Sequence, residues 1–302
     1  MKYFSFSIPQ FTSPHLGVLS AENTIVDLTV KGLANNMLSF LQAGENSWSK
    51  TEQILNQTGP KYALKEVRIH PPLLRPNTLR DFYAFEDHVA TANKNRNRKV
   101  PEQWYQLPVF YFSNPHSVFG HEEEVPMPKY TKALDFELEI AAIIGKSGRD
   151  IPSEKAMDHI FGFTIFNDWS ARDIQKQEMA VGLGPAKGKD FASSFGPYIL
   201  TIDEIIDRSD GRPGVYDLAM KARINGEEVS SGNWKSLYYS FGQMIERASE
   251  EVTLMPGDII GSGTVGTGCL LELTKGQGPW LSKGDIIDLE IERFGVLRNT
   301  IT

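Results

Sequence analysis

Seven residues, Leu134-Asp135-Phe136-Glu137-Leu138-Glu139-Ile140, alternate apolar and acidic side chains. A period of two belongs to a half-buried strand rather than a helix. The pattern predicts a strand over 135–144, with Leu134, Phe136, Leu138 and Ile140 on one face. Asp135, Glu137 and Glu139 fall on the other, and adjacent carboxylates there stand about 7 Å apart. Like charges at that spacing repel, and one protonates unless a cation sits between them. A further carboxylate, Asp168, ends the apolar run 161–166. Glu137, Glu139 and Asp168 converging from two strands make an all-oxygen site for a hard divalent ion. Plainer readings exist for each: alternating Glu is common on exposed strands, and Asp168 equally fits the cap of a following helix.

The 302 residues suit one large domain, or a main domain with a small appendage. Apolar content of 40% with 17 Phe supplies a sizeable core, and the net charge of −7 excludes a general nucleic-acid binder. A single cysteine, Cys269, leaves no internal disulfide and fits a reducing cytoplasm. With no His near it in a nucleophile pattern, Cys269 reads as a small packing residue. No signal-peptide core and no apolar run of about 20 residues are present, so a cytoplasmic protein without a membrane partner is expected.

Residues 1–66 read as a small N-terminal β-containing unit. Strands are expected at 2–8, 16–20 and 24–28, a helix through Leu33, Met37, Phe40 and Leu41, and a polar helix over 48–56. The prolines Pro71, Pro72 and Pro76 mark a connector, so the catalytic unit is taken as 67–302. In it, strands are expected at 109–112, 135–144, 161–166, 197–202, 258–261 and 286–293. Asn225-Gly226 between 221–224 and 227–230 is a strong hairpin signal. Phe241, Met244, Ile245 and Ala248 mark an amphipathic helix. Without regular βαβ alternation, a doubly wound sheet is not expected. The basic run Lys94–Lys99 reads as a polar loop, either simply solvated or a lid over an anionic substrate.

Asp81-Phe82-Tyr83, His88, Glu137-x-Glu139, Asn167-Asp168-Trp169-Ser170-Ala171-Arg172-Asp173-Ile174-Gln175, Gly188-Lys189, Ser262-Gly263-Thr264 and Leu271-Glu272-Leu273 succeed one another in this order. Over roughly 80–295 the chain thereby resembles the fumarylacetoacetate hydrolase family, most specifically in NDWSARDIQ and GSGT. The resemblance implies an α+β, β-rich fold with a mixed β-roll catalytic domain, typically a homodimer. It implies magnesium or calcium, with manganese also fitting, held by Glu137, Glu139 and Asp168. Asp81 is similar to a fourth ligand, and also reads as a capping or solvated aspartate.

His88 resembles the family's catalytic histidine, and a His near neutral pKa can take and return a proton. His15, His70, His116, His121 and His159 are read as structural. Glu272 is similar to the carboxylate that orients this imidazole, or else simply alternates with Leu271 and Leu273 on a strand. Arg172 and Gln175, three apart and on one helix face, resemble the family's oxyanion and substrate-binding groups together with Lys189. Arg172 also fits an ion pair with Asp173 or Asp168. Tyr83, Tyr111 and Thr264 align with substrate-contacting positions. Lys189 follows a Gly-rich stretch, but Asp190 stands where a phosphate loop needs Ser or Thr, so no nucleotide is expected.

The expected activity is divalent-metal-dependent hydrolysis of a C–C bond in a small anionic 1,3-diketo or 2-oxo acid, with His88 and Glu272 activating water. The alternative is an oxaloacetate-type decarboxylase, or a 2-oxo acid hydratase or isomerase, on the same scaffold. Decarboxylases of this kind resemble one another in a glutamate three residues after the histidine. Thr91 occupies that position and favours hydrolysis, with Glu86 or Glu272 as the alternative carboxylate for a decarboxylase. Met179 stands where fumarylacetoacetate hydrolase carries a tyrosine.

Overall fold

The computed structural model describes residues 1–95 and 97–302. Arg96, in the basic run expected as a loop, lies outside the described residues.

In chain order the principal strands are β1 (Lys2–Ser7), β2 (His15–Leu19), β3 (Thr24–Asp27), β4 (Lys61–Ala63), β5 (Leu79–Phe82), β6 (Phe110–Ser113), β7 (Leu138–Ile144), β8 (Ile160–Asp168), β9 (Ser193–Thr201), β10 (Ala219–Ile224), β11 (Glu227–Asn233), β12 (Ile259–Gly261), β13 (Ile286–Ile291) and β14 (Gly295–Ile301). The helices that bear on the site are α1 (Met37–Gln42), α2 (Glu86–Asn95), α3 (Arg172–Val181), α4 (Phe241–Ser249) and α5 (Leu270–Leu273).

Among the described residues the main sheet has 12 strands, with the path β4-β3-β2-β1-β9-β8-β7-β12-β5-β6. Its pairings are antiparallel along this path except β12–β5, which is parallel. A second sheet runs β11-β10-β13-β14 and ends on the short strand Glu124–Val125. The architecture is α+β, β-rich and mixed. Strands of the first 66 residues join it through β1–β9 pairing, so a boundary there divides the chain but not the sheet.

The hairpin forms as its Asn-Gly demands, since Asn225 and Gly226 both take positive φ, 53° and 86°. Helix α4 buries Phe241, Met244, Ile245 and Ala248, and Ser240 with Gln243 closes a capping box at its start.

Both faces of the main sheet are covered. On one side Phe163 of β8 meets Trp234 and Phe241 at ring distances of 4.9 and 5.1 Å. On the other Phe161 packs on Tyr3 and on Phe40 of α1 at 5.2 and 5.8 Å. Consequently β7 and β8 are buried along their whole length, not half-buried as the alternation suggests. The acidic face of β7 lies inside the protein.

Two further expectations need correction. The strand over 135–144 breaks at Phe136-Glu137: Leu134–Asp135 pairs instead with Ser170–Ala171. The Glu137 N–H donates to the Asn167 side chain at 2.9 Å, which takes that amide out of the ladder. The basic run begins not in a loop but on α2, whose last residues include Lys94 and Asn95.

Candidate active site

Three strands and one strand break deliver the acidic cluster. Asp81 comes from β5, Glu139 from β7 and Asp168 from the end of β8, while Glu137 sits at the break before β7. All four are buried, and one oxygen from each lies within 4.8 Å of the others. The Gly263 N–H donates to both Asp81 Oδ1 (3.1 Å) and Glu139 Oε2 (3.0 Å). Gly263 has φ +78°, and a Cβ there would stand 2.5 Å from the Phe82 carbonyl oxygen, so only glycine fits.

Two cations answer these acids. Lys189 Nζ donates to Glu137 Oε2 and to Asp168 Oδ2. Arg172 donates through Nε to Asp135 Oδ2 (2.7 Å), through one terminal nitrogen to Glu137 Oε1 (2.8 Å), and through the other to Gln175 Oε1 (3.1 Å). The Arg172 pairing is thus with Asp135 and Glu137, and not with Asp173 or Asp168. Asp173 is spent on Thr131 and the Lys132 N–H. Asp135, which strict alternation would place beside Glu137, turns away after the strand break. It accepts the Arg172 Nε–H and the N–H groups of Leu270 (2.8 Å) and Leu271 (3.0 Å), at the start of α5.

These contacts set the titration of the cluster. Burial, reinforced by Asp168, pushes Asp81 up to about 8. Burial and Asp81 hold Glu139 well above the usual carboxylate range. Asp168 rises to about 6 through burial, with Lys189 opposing and Glu137 assisting. Only in Glu137 is burial overcome, by Lys189 and Arg172, so that its carboxyl stays below the ordinary range. Five buried carboxyl groups, counting Asp135, face two cationic side chains, and positive charge is short.

The Asp168 Oδ1 atom supplies a direct test of whether an ion fits. It is buried without a hydrogen-bond partner among the described residues. An unpaired carboxylate oxygen inside an all-oxygen cluster suits Mg²⁺ or Ca²⁺ as ligand set and as charge.

Beside the cluster, His88 of α2 donates from Nδ1 to Glu272 Oε1, both side chains being buried. Glu272 lies on the short helix α5, not on a strand, and its Oε2 accepts the Thr267 N–H at 3.1 Å. Tyr83 packs edge-on against the His88 ring, with centroids 5.2 Å apart. Tyr111 donates to Asp168, and Thr264 Oγ1 reaches Glu139 Oε1 at 3.4 Å. A cavity of about 580 Å³ brings Asp81, Glu137, His88, Gln175, Lys189 and Thr264 to one wall space, with Tyr83, Tyr111, Arg172 and Met179 also lining it. His88 is the one histidine on this cavity among the described residues. The Gly-rich stretch before Lys189 gives its Ala186 and Gly188 N–H groups to Glu178 and builds no phosphate cradle.

A family profile described as Fumarylacetoacetate (FAA) hydrolase C-terminal matches residues 77–302. The chain belongs to the fumarylacetoacetate hydrolase family. Oxaloacetate tautomerase FAHD2A, mitochondrial, of Homo sapiens is 30% identical over 306 residues, which span 100% of this chain and 91% of that protein. Oxaloacetate tautomerase YisK of Bacillus subtilis (strain 168) is 35% identical over 246 residues, 80% of this chain and 75% of its own. Among solved structures, fumarylacetoacetate hydrolase (EaFAH) from psychrophilic Exiguobacterium antarcticum superposes with a TM-score of 0.78 at 28% identity, covering 100% of this chain and 99% of that one. No helix among the described residues is long and apolar enough to cross a membrane.

Within this family member, Asp135, Asn167 and Gly263 are site residues that sequence reasoning passed over. Asp135 stood inside the acidic alternation and Asn167 beside Asp168 in a quoted motif, but neither spacing shows a hydrogen bond to a distant backbone amide. Two outcomes follow. Because burial raises the pKa of Asp81 to about 8 and that of Glu139 well above the carboxylate range, a cation competes with protons there, so Mg²⁺ affinity rises with pH between about 6 and about 8, with proton release in calorimetry; affinity independent of pH over that range contradicts the charge assignment. Replacing Asp135 with Ala leaves Arg172 short of a partner, so chemical denaturation reads a loss of about 3 kcal/mol. Mg²⁺ binding weakens about tenfold, and unchanged binding would mean that Arg172 does not steady Glu137.

Proposed function

We propose that this chain is a divalent-metal-dependent enzyme that interconverts the enol and keto forms of a short, anionic 2-oxo acid of the oxaloacetate type. The observation carrying this reading is that one cavity holds both a carboxylate cluster suited to a hard cation and a His–carboxylate dyad. Full-length similarity to an oxaloacetate tautomerase supports it. It takes the isomerase branch of the expected alternatives over C–C hydrolysis, which the Thr91 position favoured.

Glu137, Glu139 and Asp168 would hold the ion, with Asp81 as a fourth carboxylate, and oxygen ligands of this kind suit magnesium. When bound, the ion supplies Lewis acidity toward the 2-oxo and carboxylate oxygens. Glu272 accepts the Nδ1–H of His88 and so leaves Nε2 as the basic nitrogen. In the ketonising direction Nε2 accepts the enol proton and returns it to C3; in the reverse direction it removes a C3 proton. Lys189 has a third N–H beyond its two carboxylate partners, and Gln175 has its amide N–H groups, to meet a substrate oxygen as negative charge develops there. Tyr83, Tyr111 and Thr264 shape the cavity wall. A homodimer in the cytoplasm belongs to the same proposal.

Hydrolysis is kept as the second reading because of the 28% identity to a fumarylacetoacetate hydrolase along the entire chain. There the dyad would activate water rather than shuttle a proton between substrate atoms. Side-by-side assays with enol-oxaloacetate, keto-oxaloacetate and an acylpyruvate, with product identification, separate the options. Loss of the enol absorbance without carbon dioxide or acid release is expected to be fastest. In His88→Ala that rate falls by about 10²–10⁴-fold while Mg²⁺ still binds. Pyruvate formation from the acylpyruvate outrunning ketonisation would reverse the order of the two readings.

A further inference from the structure

Cys269, read from the sequence as mere packing, lies against the dyad. His88, Cys269 and Glu272 are all buried, and their ligand atoms fall within 4.8 Å of one another. Cys269 Sγ is 3.7 Å from Glu272 Oε1. Around a tetrahedral zinc ion, with sulfur at about 2.3 Å and oxygen at about 2.0 Å, those two atoms would be separated by roughly 3.5 Å. The sulfur–oxygen pair is therefore already spaced for coordination. The short His88–Glu272 contact has to open, and His88 has to settle toward the ion, while Glu272 is steadied by the Thr267 N–H on its other oxygen. His88 borders the cavity, which gives an ion a way in.

From this geometry we infer that His88, Cys269 and Glu272 form a second, inhibitory metal site for a thiophilic divalent ion such as Zn²⁺ or Cd²⁺. The two neighbouring clusters differ in ligand character. Four carboxylates suit a hard cation, whereas a nitrogen, sulfur and oxygen set selects a borderline or soft one. The binding step balances with neutral His88. The Nδ1 proton transfers to Nε2, the Cys269 thiol releases its proton to solvent, and the ion takes Nδ1, the thiolate and the Glu272 carboxylate. One proton leaves per ion bound. Nε2, now protonated, can no longer act as a base.

Binding does not depend on the proposed reaction; the loss of turnover does. The purified protein, saturated with Mg²⁺, is titrated with Cd²⁺ and Zn²⁺ while ultraviolet sulfur-to-metal charge transfer and enol-oxaloacetate turnover are followed. Wild type is expected to show the band with Cd²⁺, saturating at one equivalent, and to lose nearly all activity at saturating Zn²⁺. In Cys269→Ala and Cys269→Ser the band is absent. Zn²⁺ sensitivity, scaled to each variant's own uninhibited rate, falls at least about tenfold. The band in wild type tests the site even where a variant does not fold. No band in wild type, or equal Zn²⁺ sensitivity in wild type and variants, overturns the site. A band with undiminished turnover keeps the ligand set but overturns its inhibitory role, and with it His88 as the base.

Discussion

Everything at the centre of this protein depends on an imbalance of buried charge. Asp81, Asp135, Glu137, Glu139 and Asp168 are all withdrawn from water, with Lys189 and Arg172 alone ion-paired to them among the described residues. Carboxylates cannot all ionise in such a place without compensation, and burial with mutual repulsion pushes Asp81 and Glu139 well above the usual carboxylate range. The two cations are not interchangeable. Lys189 bridges Glu137 and Asp168 as a point charge, whereas the planar guanidinium of Arg172 spans Asp135, Glu137 and Gln175.

That guanidinium also joins two halves of the site. Through Glu137 it touches the acidic cluster. Through Asp135 it touches the N–H groups at the start of α5, the helix that carries Glu272 and so fixes His88. The His88–Glu272 pair and the acidic cluster are thus held in register by one buried acid, Asp135. A sheet covered on both faces makes such precision possible, because β7 and β8 have little room to shift.

Much of this was legible in the sequence. Glu137, Glu139 and Asp168 showed themselves through period-two alternation and an apolar run ending in Asp, and the structure brings them together with Asp81. His88 and Glu272 were found by resemblance, and they do meet. What stayed hidden depends on long-range contacts. Alternation placed Asp135 with the other acids because periodicity cannot see Asn167 capturing the Glu137 amide and breaking the strand. The short helix around Glu272 was ambiguous because Leu271-Glu272-Leu273 suits a strand as well as one helical turn. Cys269 looked isolated because its partners, His88 and Glu272, reach it only in the folded chain.

The central claim is that the acidic cluster holds one divalent ion. Anomalous diffraction from crystals grown with Mn²⁺ and oxalate tests it most directly. The account predicts one strong peak ligated by Glu137, Glu139 and Asp168, with oxalate on its open side facing His88. A peak elsewhere, or Lys189 still bridging Glu137 and Asp168 with no ion between the acids, would contradict it.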